Sequence, residues 1–83
     1  MYSEAELNKF RWRSRRGMLE LDLLLLPFFE EEFLNLPDEM QNTFVKLLEQ
    51  DDPDLLMWFS RKGEPEDAGL AALVNLILDR VQP

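Results

Sequence analysis

Residues 15–29, Arg15-Arg16-Gly17-Met18-Leu19-Glu20-Leu21-Asp22-Leu23-Leu24-Leu25-Leu26-Pro27-Phe28-Phe29, decide the fold class. Leu21, Leu24, Leu25 and Phe28 stand at i, i+3, i+4 and i+7, the spacing that gathers apolar side chains on one face of an α-helix. A helix is therefore expected from about Met18. Pro27 falls inside the stripe. It lacks an N–H and crowds the preceding turn, so a kink or break is expected near Leu26, with the helix resuming through Phe28–Leu34. Leu23–Phe29 is also the longest apolar run of the chain, seven residues against the roughly 20 that cross a bilayer.

The same period continues on both sides. Toward the N-terminus, Ser3-Glu4-Ala5-Glu6 has the form of a capping box, in which the hydroxyl takes an orphan N–H and Glu6 reaches back. A first helix after Ser3 carries Leu7, Phe10 and Ser14 on one face. It is expected to end near Arg16, where cations complement the negative end of the dipole. Gly17 then serves either as its left-handed stop or as a point where a partner's backbone can come close. Toward the C-terminus, Leu36-Pro37-Asp38 marks a boundary. A third helix over about Asp38–Gln50 bears Met40, Phe44, Leu47 and Leu48. Asp52 suits an N-cap and Pro53 a first helical residue, so a fourth helix starts at Pro53, carries Leu55, Leu56, Trp58 and Phe59, and stops at Gly63. Pro65 opens a fifth, with the stripe Leu70, Leu73, Val74, Ile77 and Val81. Strand-like alternation is missing and β-branched residues are few. The expectation is an all-α, compact bundle of about five short helices forming one domain over residues 1–83.

Composition narrows the chemistry. A chain of 83 residues buries only about 60–65% of its unfolded surface, so a deep substrate cavity would compete with the core. Cysteine and histidine are both absent, which removes thiol nucleophiles, disulfides, the commonest general base and most transition-metal sites. The charge is segregated. Residues 1–16 hold five basic and two acidic groups, whereas residues 17–83 hold four basic and fifteen acidic ones, for a net of −8 over the chain. An acidic body repels phosphate backbones, so nucleic-acid binding is not expected despite the aromatic–basic mix of Phe10–Arg16. The basic strip reads as a solvated helix face or as a surface for an anionic partner. No leader pattern opens the chain, and a soluble cytoplasmic protein, monomeric when free, without membrane insertion, is the expectation.

Several polar clusters have plain readings. Arg16 and Glu20 could pair if one helix ran through both, a contact of about 0.3–0.5 kcal/mol. Glu20 and Asp22 point to different helix faces and make a poor metal pair or acid–base dyad. Glu30-Glu31-Glu32 reads as a solvated face, and Asp51, Asp52 and Asp54 as a capping cluster. Trp58 reads as core, and Trp12, set among arginines, admits a guanidinium stacked on its ring. No G-x-G-x-x-G fingerprint is present, which disfavours tight FAD binding by this chain. No catalytic, cofactor-binding or metal-binding residue is assigned.

Trp12 followed by Arg15-Arg16-Gly17-Met18-Leu19-Glu20-Leu21-Asp22 resembles the RGxxExD signature of the succinate dehydrogenase flavinylation factor family, SdhE. Pro27-Phe28-Phe29, Leu47-Leu48-Glu49, Asp51-Asp52-Pro53-Asp54-Leu55 and Trp58 extend the resemblance from about Lys9 to Leu78. The resemblance implies a five-helix assembly factor, not itself an enzyme. Such a factor binds the flavoprotein subunit of succinate dehydrogenase, and in bacteria also fumarate reductase, and promotes covalent attachment of FAD to it. It implies a docking set of Arg16, Gly17, Glu20 and Asp22, with Arg15 and Trp12 as neighbours. An alternative attached to the same family is an antitoxin-like regulatory module that binds a cytoskeleton-directed toxin. The residue inventory agrees on one point: without His or Cys, this chain lacks the usual acceptors for covalent flavin.

Overall fold

A computed structural model of the chain describes residues 2–81. Five α-helices follow one another: α1 (Glu4–Ser14), α2 (Leu19–Glu32), α3 (Asp38–Leu48), α4 (Asp52–Phe59) and α5 (Ala68–Val81), with a 3₁₀ turn at Phe33–Asn35. No strand occurs among the described residues. The all-α, five-helix expectation holds. The capping box is present as read: the Glu6 N–H donates to Ser3 Oγ at 3.1 Å, and the Ser3 N–H donates to Glu6 Oε1 at 3.0 Å. The Ser3 N–H bond holds the Glu6 carboxyl below its ordinary pKa.

Helix α3 ends at Leu48, two residues short of Gln50, and four other features differ from expectation. First, α1 stops at Ser14 rather than near Arg16, because Arg15 turns extended. Second, α2 runs through Pro27 without a break. Leu21 and Leu25 before the proline and Phe28, Phe29 and Phe33 after it are all buried, so one continuous apolar face holds both halves. The carbonyl deprived of its donor belongs to Leu23, on the solvent side of the helix, where water can reach it. Third, α4 starts at Asp52, with Asp51 at the N-cap position and no side-chain capping bond, so the acidic cluster does not cap the helix with its carboxylates. It ends at Phe59, short of Gly63. Fourth, α5 starts at Ala68, not at Pro65. The Asp67 carboxylate accepts the Leu70 N–H at 2.9 Å and caps it.

The core is aromatic at its centre. Phe28 stacks on Phe44 with ring centroids 5.6 Å apart, and Phe33 meets Phe44 edge-on at 5.5 Å. Leu21, Leu25, Leu47, Leu55, Leu73 and Ile77 close around these rings with no exposure. Helix α3 packs on α5, α1 lies across α2 and α3, and α4 bridges α2 and α5. Two buried polar side chains are satisfied. Ser14 Oγ donates to the Phe10 carbonyl at 2.9 Å, and Gln41 Nε2 donates to the Leu36 carbonyl and to the Phe33 carbonyl, which also accepts the Leu36 N–H. The stripe of α5 is buried at Leu70, Leu73, Val74, Ile77 and Leu78, while Val81 is exposed. Trp58 is half-buried against the core. Glu31 and Glu32 are not simply solvated: both meet Arg80 across the α2–α5 contact, Glu32 at 3.4 Å. No described helix is long and apolar enough to cross a membrane.

Candidate functional site

The connection between α1 and α2, residues 15–18, contains the centre of the signature. Three local features shape it. The Arg15 N–H closes α1 by donating to the Trp12 carbonyl at 3.2 Å. Gly17 adopts a positive φ of 81°. The Asp22 side chain folds back so that its Oδ1 accepts the Arg16 N–H at 2.6 Å.

Arg16 does not pair with Glu20. The two belong to different elements, because the chain is not helical between Ser14 and Leu19. The Arg16 guanidinium turns inward instead, with only 14% of its side chain exposed. Its Nε donates to Asp52 Oδ1 at 2.8 Å. Its Nη1 donates to the carbonyls of Arg13 at 3.1 Å and Leu48 at 2.9 Å, and its Nη2 to the Gln50 carbonyl at 2.7 Å. The cation thus sits where the C-terminal ends of α1 and α3 converge. Both helix dipoles place partial negative charge there, and unpaired carbonyls need donors. The planar fork of arginine suits several such acceptors at once.

The six residues of the docking set therefore divide. Arg16 and Asp22 point into the fold and hold the connection. Gly17, Glu20, Arg15 and Trp12 face outward, Trp12 with 74% exposure. A methyl group built on Gly17 would meet nothing within 4 Å, so the space above its backbone is open. Glu20 lies at a cleft of about 290 Å³ between α2 and α4, with Leu24 and Leu56 in its walls. Trp12 and Arg15 line a second cleft of about 210 Å³ between α1 and α2, closed by Leu26 and Glu30. No guanidinium covers Trp12 among the described residues; the cation–π contact is Arg11 over Phe29, at 5.6 Å.

Two exposed residues were missed in the sequence: Leu19 and Leu23, at 69% and 60% exposure. They stand one turn apart on α2 and continue toward Leu26, off the Leu21–Leu25–Phe28 face. That offset was the signal available, since two leucines at i and i+4 outside the core stripe have no packing partner of their own. They make an apolar border on α2, which begins two residues after Gly17, and Trp12 stands farther along at the Leu26 cleft. No group of His, Cys, Asp and Glu residues suited to holding a metal occurs among the described residues.

Three comparisons place this geometry among known proteins. The family model described as flavinator of succinate dehydrogenase matches residues 8–81. An FAD assembly factor SdhE of Pseudomonas aeruginosa is 55% identical over 83 residues, covering all of this chain and 99% of that protein. An FAD assembly factor SdhE of Vibrio cholerae is 49% identical over 78 residues, 94% of this chain and 91% of the relative. The solution structure of a UPF0350 protein superposes with a TM-score of 0.81 at 47% identity, covering 98% of this chain and 86% of that one.

Proposed function

Since this chain belongs to the family described as flavinator of succinate dehydrogenase, we propose that it is a non-catalytic assembly factor that docks on the flavoprotein subunit of succinate dehydrogenase. The same surface would serve the related subunit of fumarate reductase. The observation that carries the reading is Gly17: exposed, left-handed and with open space over its backbone, just before the exposed Leu19, Glu20 and Leu23 of α2. A glycine so placed lets another backbone approach to contact distance. Exposed large side chains around it supply area that gains by leaving water.

The mechanism follows from what the chain holds and lacks. It brings no histidine or cysteine to the reaction. Its contribution is to bind one arrangement of the flavoprotein more tightly than others, raising the population in which flavin and acceptor side chain are aligned. The bond-forming chemistry belongs to FAD and the partner. The factor works as a monomer in the cytoplasm.

The test is covalent flavin on the succinate dehydrogenase flavoprotein, read as in-gel fluorescence of the denatured subunit, in cells lacking the gene. Wild type should restore it. Gly17→Arg and Glu20→Ala should not, while remaining folded by circular dichroism. Unchanged flavinylation in the deletion strain would overturn the reading.

A further inference from the structure

The segment Asp51–Leu55 stood out in the sequence as strongly as residues 15–22, yet it lies in another part of the chain and has no place on the docking surface. The structure gives it one. We infer that Asp52, with the carbonyls of Leu48 and Gln50, positions the docking connection through Arg16, so that the two sequence segments form a single device. This rests on the docking reading of residues 15–22.

Among residues 15–18, Arg16 is mostly buried and Met18 packs partly against the core. Arg15 and Gly17 are exposed and Met18 is half-buried. Met18 anchors one end of the connection, and a left-handed glycine still leaves the residues before it with alternative conformations. Selection comes from polar bonds. The Arg16 N–H is tied to Asp22 on α2, and the Arg16 guanidinium is tied to α1 at Arg13, to the end of α3 at Leu48 and Gln50, and to the start of α4 at Asp52. One residue is thereby fixed by four helices, and Gly17 is its immediate neighbour. Asp52 is the carboxylate bonded to this cation. It supplies the full negative charge that three carbonyl dipoles do not, and a mostly buried guanidinium is retained only when paired.

The consequence for binding is a population argument. If only a fraction of molecules holds the connection in its docking conformation, the apparent Kd rises by the inverse of that fraction. Arg16 and Asp52 are positioning residues, and contact with the partner is left to Gly17, Glu20 and the apolar border.

The experiment measures the Kd for the purified succinate dehydrogenase flavoprotein subunit by calorimetry, together with hydrogen exchange of the Arg16 amide in the free protein by NMR. The variants are Asp52→Ala, Asp52→Asn, Arg16→Met, the double variant Arg16→Met/Asp52→Ala, and, as probes of the contact surface, Glu20→Ala and Gly17→Arg. Asp52→Ala should weaken binding about tenfold, as for a docking conformation reduced to about a tenth of the population, and should bring Arg16 amide exchange close to the unprotected rate. Asp52→Asn keeps an oxygen for Nε but not the charge, so its binding should fall between that of wild type and that of Asp52→Ala. The double variant should bind no more weakly than Arg16→Met alone, because both changes open the same lock. If the two losses instead multiply, or if Asp52→Ala binds like wild type while Arg16→Met does not, Arg16 touches the partner itself and the inference falls. If Glu20→Ala and Gly17→Arg leave Kd unchanged, the docking reading fails. The amide-exchange result then still reports separately whether Asp52 holds the connection.

Discussion

Two connections in this molecule contain a residue in the left-handed region, and they solve the problem differently. Between α1 and α2 the residue is Gly17, and its neighbour Arg16 is drawn inward onto four acceptors. Between α4 and α5 it is Arg61, at φ 64°, which follows the last turn of α4 and lets the Lys62 N–H return to the Met57 carbonyl at 2.9 Å. Its guanidinium reaches Asn75 on the surface. A left-handed arginine costs about 1–2 kcal/mol relative to glycine, and the second connection tolerates it. A positive φ alone is therefore not enough to require glycine in this fold. What distinguishes position 17 is the empty volume above it. Gly63 gives a third case: its backbone is not left-handed, and a Cβ there would lie 2.7 Å from Met57 Sδ, a contact that the exposed methionine side chain can relieve by turning.

Several measurements would sharpen or break this contrast. The largest effect is expected at Arg16→Met, which leaves the carbonyls of Arg13, Leu48 and Gln50 without this donor and Asp52 without its cation. A loss of about 2–4 kcal/mol, seen as a fall in Tm of about 10–25 °C, should follow. A change below about 1 kcal/mol would mean that water replaces the guanidinium easily.

Position 17 comes next. Gly17→Ala should lower stability by about 1 kcal/mol through backbone strain alone, since no atom obstructs the methyl group. Gly17→Asn, which tolerates the left-handed region, should lie within about 0.5 kcal/mol of wild type. Both should fail to restore flavinylation. Recovery of activity with Asn but not Ala would show that conformation, rather than open space, is what the site uses.

Arg61→Gly should raise stability by up to about 1 kcal/mol, less whatever the Asn75 contact contributes, and should leave flavinylation intact. A thermal melt beside the complementation assay reads both.

The smallest effect concerns acid. The Lys46 ammonium, 2.5 Å from Asp67, and the Leu70 N–H hold the Asp67 carboxyl below its ordinary pKa. A depressed carboxylate contributes stability above its unfolded pKa and loses it as pH falls through the lower folded value. Asp67→Asn should therefore flatten the acid limb of the stability profile slightly, with no change near neutrality beyond the lost ion pair. Both partners are well exposed, so the change should be small. An equal slope in wild type and variant would remove Asp67 from the account.

The helices were legible because their signals are local. The Leu21–Leu25–Phe28 stripe, the α5 stripe and the Ser3–Glu6 box each lie within a few residues and need no knowledge of the fold. Pro27 misled for the same reason. Its local effect is real, but buried leucines and phenylalanines on both sides outweigh it. The candidate site was legible as a place and not as a mechanism. The signature located residues 15–22, but which of them turn inward depends on Asp52, 36 positions away, and on carbonyls that no side-chain pattern reveals. Local spacing offered Glu20 as the partner of Arg16, and the non-helical break at 15–18 removed it. Gly63 drew attention as the stop of α4 while Arg61, two residues earlier, took the left-handed turn.

The span between Arg16 and Asp52 also sets the order of events during folding. Closing that contact requires α3 and the start of α4 to be in place, so it pays the entropy of a long loop and cannot join an early, locally formed nucleus. Variants at these two positions should have φ-values near zero and act mainly on the unfolding rate. The docking connection then becomes native only after α3 and the start of α4 have docked. A chain that has folded only halfway has helices but no shaped surface to offer, so an immature helper cannot occupy an immature enzyme.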